Sequence, residues 1–99
     1  MMNEYPMRNN ATAYRIIDGV AMVVGAQESK LLTLNDVGTF IWEQADGKQT
    51  FSEIVDKLCQ HFDVDYPRVM QDAVVFVKEL ESKGLLVLSD CPVNIEEKQ

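Results

Sequence analysis

The side chains best suited to nucleophilic chemistry are one histidine and two cysteines. His61 and Cys59 lie two residues apart in a predicted helix, and Cys91 lies near the end of the chain. Residues two apart on a helix point to different faces, so His61 is not placed to activate Cys59, and no third residue orients the histidine. We therefore expect no cysteine catalysis and two free thiols, with a disulfide between the cysteines left open.

Metal and phosphate sites have no support in the sequence either. The acidic residues are spread along the chain after Gly25, and neither cysteine belongs to a CxxC pair. The five glycines form neither GxGxxG nor GxxxxGK[ST], the patterns that cradle phosphates. We expect no metal, nucleotide or other cofactor.

The overall charge narrows the choice of partners. Sixteen acidic residues against nine basic ones give a net charge of -7, which disfavours binding to nucleic acid or anionic lipid. The opening MMNEYPMRNN lacks the apolar core of a secretory signal, and nowhere do about 18 apolar residues follow one another. We expect a cytoplasmic protein with no nucleic-acid partner and no membrane partner.

The first part of the chain is predicted to form a small antiparallel sheet. Two runs rich in β-branched and aromatic residues, Ala13 to Ile17 and Val20 to Val24, flank Asp18-Gly19, which is a strong hairpin turn signal. A third short apolar run covers Lys30 to Leu34. These three strands should form a meander.

Three helices are predicted to follow the sheet. The first covers Asp36 to Ala45 after the N-cap Asn35, and either Thr50 or Ser52 caps the second. The third begins after Asp65 and ends before Gly84. Its core-facing stripe contains Val69, Ala73, Phe76, Val77 and Leu80.

These elements predict one α+β domain that is winged-helix-like, with a three-stranded antiparallel sheet followed by three helices. The domain should cover residues 13–88. Residues 1–12 are expected to form a flexible N-terminus and residues 89–99 a flexible tail. A run from Leu85 to Leu88 could lie along the sheet.

The segment from Leu34 to Leu58, LNDVGTFIWEQADGKQTFSEIVDKL, resembles the PqqD family, whose members share a similar Leu-Asn, Gly, Ile-Trp, Asp-Gly, Thr, Glu-Ile-Val progression. The resemblance continues through Asp72 and Phe76 to the ending Gly84-Leu85-Leu86. It implies a non-catalytic domain that recognises the leader of a ribosomally made precursor peptide. The implied partners are that peptide and a peptide-modifying enzyme, commonly of the radical SAM type, as in pyrroloquinoline quinone synthesis.

Such recognition can work by strand addition, because an edge strand leaves N–H and C=O groups free for an extended peptide. Side-chain selectivity would come from a groove between the third strand and the third helix. The predicted peptide-binding residues are Ser29, Lys30, Leu31, Leu32, Thr33, Asp72, Val75, Phe76 and Glu79.

Some of these residues also fit a packing role, because Leu31 or Leu32 would point inward on any pleated strand and Phe76 lies on the core stripe. Val75 falls outside that stripe and beside acidic neighbours. A proline at Leu32 should weaken peptide capture if the Leu32 N–H faces outward, and should damage folding if it faces inward.

Two other functions stay open at this stage. The topology also fits a winged-helix DNA-binding regulator, although the third helix balances three basic residues with three acidic ones between Pro67 and Lys83, where DNA would require a basic face. A structural dimerisation module is the other alternative, since an exposed edge strand can pair with its own copy. We therefore expect a monomer or a weak homodimer.

Overall fold

The computed structural model describes residues 2–25 and 31–92. Within these residues the chain forms five strands and three helices. Their order is β1 (Tyr5–Arg8), β2 (Ala13–Ile17), β3 (Val20–Val24), β4 (Leu31–Thr33), α1 (Asp36–Gln44), α2 (Phe51–His61), α3 (Tyr66–Ser82) and β5 (Leu86–Ser89).

The three-stranded antiparallel sheet has the order β2-β3-β4, as the sequence predicted. Its first turn is tight because Asp18 and Gly19 both take the left-handed conformation, with φ of 53° and 79°, as a two-residue hairpin turn of the mirror-image type requires. Ile17 therefore pairs with Val20, and the register continues to Ala13 opposite Val24.

A second sheet has two strands, β1 and β5, which pair antiparallel with Pro6 opposite Leu88. The strand β1 contradicts the expectation that residues 1–12 form a flexible N-terminus. Proline counts against a strand because it lacks a donor; here it lies in a two-stranded sheet and is fully buried. The final strand also pairs with β1 and not with the three-stranded sheet. Residues 93–99 of the predicted tail lie outside the described residues.

The helices begin where the capping residues indicate. The Asn35 side chain accepts a hydrogen bond of 2.7 Å from the Gly38 N–H at the start of α1. Thr50, and not Ser52, caps α2: its hydroxyl accepts from the Glu53 N–H while the Glu53 carboxylate accepts from the Thr50 N–H, which is a capping box. The predicted third helix follows Asp65 and carries proline in its first turn.

The core lies between the sheet and the three helices. Its largest fully buried side chains come from every layer: Trp42, Phe51, Ile41, Ile54, Leu58, Leu80, Leu86 and Val23. On α3 the predicted stripe is confirmed at Val69, Ala73, Val77 and Leu80, which are buried, whereas Phe76 is half-buried at its margin. The sheet, α1 and α3 therefore pack against one another through a shared core.

A buried hydroxyl joins α1 to the sheet. Thr39 Oγ1 accepts from the Ala21 N–H at 3.0 Å and donates to the Leu34 C=O at 3.4 Å. Leu34 in turn donates its own N–H to the Ala21 C=O at 2.9 Å. These bonds fix the start of α1 directly beyond the end of β4.

Candidate functional site

The outer side of β4 is an open sheet edge. Among the described strands, β3 alone pairs with β4, in the sheet order β2-β3-β4. Its register sets Leu31 opposite Val24, Leu32 opposite Val23 and Thr33 opposite Met22. In the part of the chain that the structure describes, no further strand lies beside β4, so its second row of backbone groups is available.

The register determines which backbone groups face outward. Leu34 donates its N–H to the Ala21 C=O, which is one of the two bonds of a hydrogen-bonded antiparallel pair, while the Ala21 N–H donates to Thr39 Oγ1 instead. Antiparallel pairs alternate between bonded and non-bonded, which makes Leu32 and Val23 the next bonded pair. The N–H and C=O groups of Leu31 and Thr33 consequently point away from β3. Within residues 2–25 and 31–92 these outward groups have no hydrogen-bond partner.

The side chains of β4 divide between the two faces of the sheet. Leu32 lies on the same face as the buried Val23 and packs half-buried against the core. Leu31 and Thr33 lie on the opposite face and are exposed, Leu31 to 58%. Of the predicted strand residues that are described, only Leu32 directs its side chain toward the helices. Leu31 and Thr33 instead have backbone N–H and C=O groups that point away from β3.

The predicted residues of α3 share one face, because Asp72, Val75, Phe76 and Glu79 follow the spacing i, i+3, i+4 and i+7. Phe76 is at the core margin of this face, and the other three are exposed. Val75 is 66% exposed, more than any other large apolar side chain among the described residues. The face therefore changes from apolar at Phe76 to acidic at Asp72 and Glu79.

Phe76 connects this helix face to the end of β4. A Cβ placed on Gly38 would lie 2.9 Å from Phe76 Cε1 and 3.2 Å from Asn35 Oδ1. The Phe76 ring therefore lies directly against the first turn of α1, which begins three residues after the end of β4. Gly38 is required by this close approach, as its costly position inside a helix indicates.

The structure describes seven of the nine predicted site residues. Leu31, Leu32 and Thr33 lie on the edge strand, and the four residues of α3 share one helix face, of which Phe76 packs against the first turn of α1; their role in peptide binding stays a prediction. Ser29 and Lys30 lie outside the described residues. The sequence did not predict that Gly38 is the residue that admits the Phe76 ring.

The described residues around this surface form no metal-binding cluster. Among the described residues no three His, Cys, Asp or Glu side chains are grouped to hold a metal ion. Cys59 and Cys91 are free thiols. Nor is any helix of the described part long and apolar enough to cross a membrane.

Known proteins that resemble this chain include a protein family and a solved structure. The family model for coenzyme PQQ synthesis protein D (PqqD) matches residues 20–86, which confirms the resemblance seen in the sequence. A solved structure, TbiB1 in complex with the TbiA(beta) leader peptide, is similar with a TM-score of 0.73 and 30% identity, over 81% of this chain and 93% of that one. Among curated protein sequences none matches the chain.

Proposed function

Because the chain belongs to the PqqD family, we propose that it binds the leader of a ribosomally synthesised precursor peptide and presents that peptide to a modifying enzyme. The leader would lie extended along β4 and complete the sheet as an added strand. The chain would perform no chemistry itself and would need no cofactor.

The observation that carries the proposal is the open edge of β4. Leu31 and Thr33 each direct one N–H and one C=O group outward. A peptide strand can satisfy all four groups, and each backbone hydrogen bond contributes a net stabilisation of about 0.5–1.5 kcal/mol. Recognition of this kind depends on backbone geometry and so accepts many leader sequences.

Side-chain selection would come from the surface between β4 and α3. Leu32 and Phe76 supply a half-buried apolar floor, and Val75 supplies an exposed apolar contact. Asp72 and Glu79 border it with negative charge. Alternate residues of an extended peptide point to the same side, so we expect a leader with apolar residues two apart and a basic residue nearby.

The setting of the reaction is part of the same proposal. Partners of this family suggest a radical SAM enzyme or another peptide-modifying enzyme, acting on a precursor made in the cytoplasm. Pyrroloquinoline quinone or a related peptide natural product would be the end product. The TbiB1 complex with a leader peptide supports the peptide partner.

The alternative functions have less support. A DNA-binding regulator would need a basic face on α3, yet the helix has three acidic residues, Asp72, Glu79 and Glu81, against two basic ones. A dimerisation module would use the same edge of β4 as the peptide. Molecular mass in solution, measured with and without peptide, separates pairing between copies from peptide capture.

The test is a titration of isotope-labelled protein with the precursor peptide encoded beside its gene, followed by NMR. We expect the largest backbone shifts at Leu31 and Thr33, with further shifts at Val75 and Phe76. Shifts confined to β2 or to the β1–β5 sheet would contradict the proposed site. Absence of any saturable shift would contradict the function.

A further inference from the structure

An open recess lies on the side of α1 opposite Gly38. It is separate from the edge of β4 that we propose binds the peptide. Its volume is about 340 Å³, and it lies between the β2–β3 turn, α1 and the C-terminal end of α2. Gly19 lines it from the turn. The lining residues that carry charge or aromatic rings are Asp36, Phe40, Glu43, His61 and Phe62.

The recess and the Phe76 ring of α3 contact different faces of α1. Asp36, Phe40 and Glu43 are four and three residues apart, so they share one face of the helix. At about 100° per residue this face lies roughly opposite Gly38, which packs against Phe76. A ligand in the recess therefore leaves β4 and α3 free for the leader.

Three aromatic rings form the wall of the recess. Phe40 stacks on His61 with ring centroids 4.9 Å apart and planes 24° from parallel. Phe62 meets both rings edge-on, at 5.9 Å from Phe40 and 4.8 Å from His61. Phe40 and Phe62 are half-buried against the core, so packing holds this wall in place. Aromatic faces attract cations through their quadrupoles.

Two carboxylates border the aromatic wall. Asp36 and Glu43 are exposed, and neither forms an ion pair with another residue that the structure describes. Of the lysines and arginines that the structure describes, none lines the recess. With a net charge of -7 on the chain, the recess presents uncompensated negative charge beside π surfaces.

We infer that this recess holds an arginine side chain of the enzyme to which the peptide is presented, an inference that rests on the proposed function. A guanidinium group is planar, so it stacks on aromatic rings while its N–H groups donate to carboxylates. The volume lies at the lower end of the range for ligand pockets, roughly 300–1,000 Å³, which suits one side chain. Arginine anchors are enriched at the centres of protein interfaces.

The site itself is tested with a small probe. Isotope-labelled protein is titrated with N-acetyl-arginine amide and, separately, with N-acetyl-citrulline amide, which has nearly the same shape but no charge. We expect saturable shifts of Phe40, Glu43 and His61 with the arginine compound and none with citrulline. Equal shifts with both compounds, or no saturable shift, would overturn the inference.

Matched variants assign the effect to the carboxylates. The double variant Asp36→Asn with Glu43→Gln should weaken arginine amide binding at least about tenfold, the effect of losing one charge-assisted hydrogen bond. Asp56→Asn with Glu81→Gln removes the same charge from exposed positions elsewhere and should change binding less than about twofold. If both double variants lose the same affinity for arginine amide, the effect comes from net charge, and the recess is not an arginine site.

The identity of the occupant is tested with the two proposed partners. The recess variant should bind the leader peptide like the unmodified chain but bind the modifying enzyme encoded beside it at least about tenfold more weakly. Loss of leader binding with enzyme binding unchanged would assign the recess to the leader and contradict the inference. If no form of the chain binds the leader, the proposed function fails, while the arginine amide titration still decides whether the recess is a site.

Discussion

The ring of Phe76 on α3 packs directly against Gly38 on α1, so closely that a single methyl group at position 38 would approach Phe76 Cε1 to 2.9 Å. This contact sets how near α3 stands to the first turn of α1. Since α1 begins directly after β4, the same contact positions α3 relative to the open sheet edge. The width of the proposed peptide groove therefore depends on one glycine.

Gly38→Ala should destabilise the protein although alanine favours helices by about 1 kcal/mol over glycine. The added methyl group must displace the Phe76 ring, and overpacking of this kind costs about 1–3 kcal/mol. In a Phe76→Leu background the clashing ring atom is absent, so the same change should cost less or stabilise. Urea unfolding of the four proteins measures this coupling, which should be at least about 1 kcal/mol. Additive effects would show that the two residues do not compete for space.

The part of the fold that local sequence signals determine could be predicted. Asp18-Gly19 requires left-handed backbone that few residues accept, and the caps Asn35 and Thr50 indicate helix starts through their own side chains. Helical periodicity likewise placed Val75 outside the core stripe, and it is highly exposed.

Features that depend on distant partners could not be predicted. The strand β1 is short and contains Pro6, and only its pairing with β5 identifies it. Which N–H groups of β4 face outward depends on the bond between Leu34 and Ala21, a register that no local pattern determines. The sequence left the direction of the Leu32 N–H open. In the structure this N–H faces β3, so Leu32→Pro should damage folding.

The Thr39 hydroxyl should be necessary for stability. Thr39→Val keeps the shape of the side chain but leaves the buried Ala21 N–H without its acceptor, which costs about 1–3 kcal/mol. Thr39→Ser keeps the hydroxyl and should cost clearly less. Thermal or urea unfolding of both variants provides the comparison. A serine variant as unstable as the valine variant would mean that the methyl group, and not the hydrogen bond, matters.

Arg8 should stabilise the domain by donating hydrogen bonds to carbonyl groups at the C-terminal end of α1. Its guanidinium donates to the C=O of Trp42 at 2.7 Å and of Glu43 at 3.0 Å. The Trp42 C=O also accepts from the Ala45 N–H at 3.3 Å, and the last carbonyls of a helix generally need partners from outside it. Arg8→Met keeps an aliphatic stem, and we expect a loss of about 1–3 kcal/mol, as for hydrogen bonds from charged groups.

Arg15 provides the control for this change, because it is exposed on β2. Arg15→Met should alter the free energy of unfolding by less than about 0.5 kcal/mol. Urea unfolding of both variants under the same conditions gives the difference. Equal effects would indicate a response to net charge and not to the helix end.

The two outer edges of the three-stranded sheet offer a matched test of strand addition. By the register, the N–H groups of Thr33 on β4 and of Ile16 on β2 both face away from β3. Thr33→Pro and Ile16→Pro each remove one outward donor and leave the pairing with β3 intact, a position where proline is tolerated in sheets. Both variants should therefore stay folded, which their amide NMR spectra would verify.

The most direct measurement is the affinity of these two variants for the precursor leader, determined by calorimetry. Thr33→Pro should weaken binding at least about tenfold, through a lost hydrogen bond and the bulk of the proline ring on the docking edge. Ile16→Pro should change it less than about threefold, since the leader does not contact β2. If Thr33→Pro binds the leader as tightly as Ile16→Pro does, the leader does not add to the edge of β4.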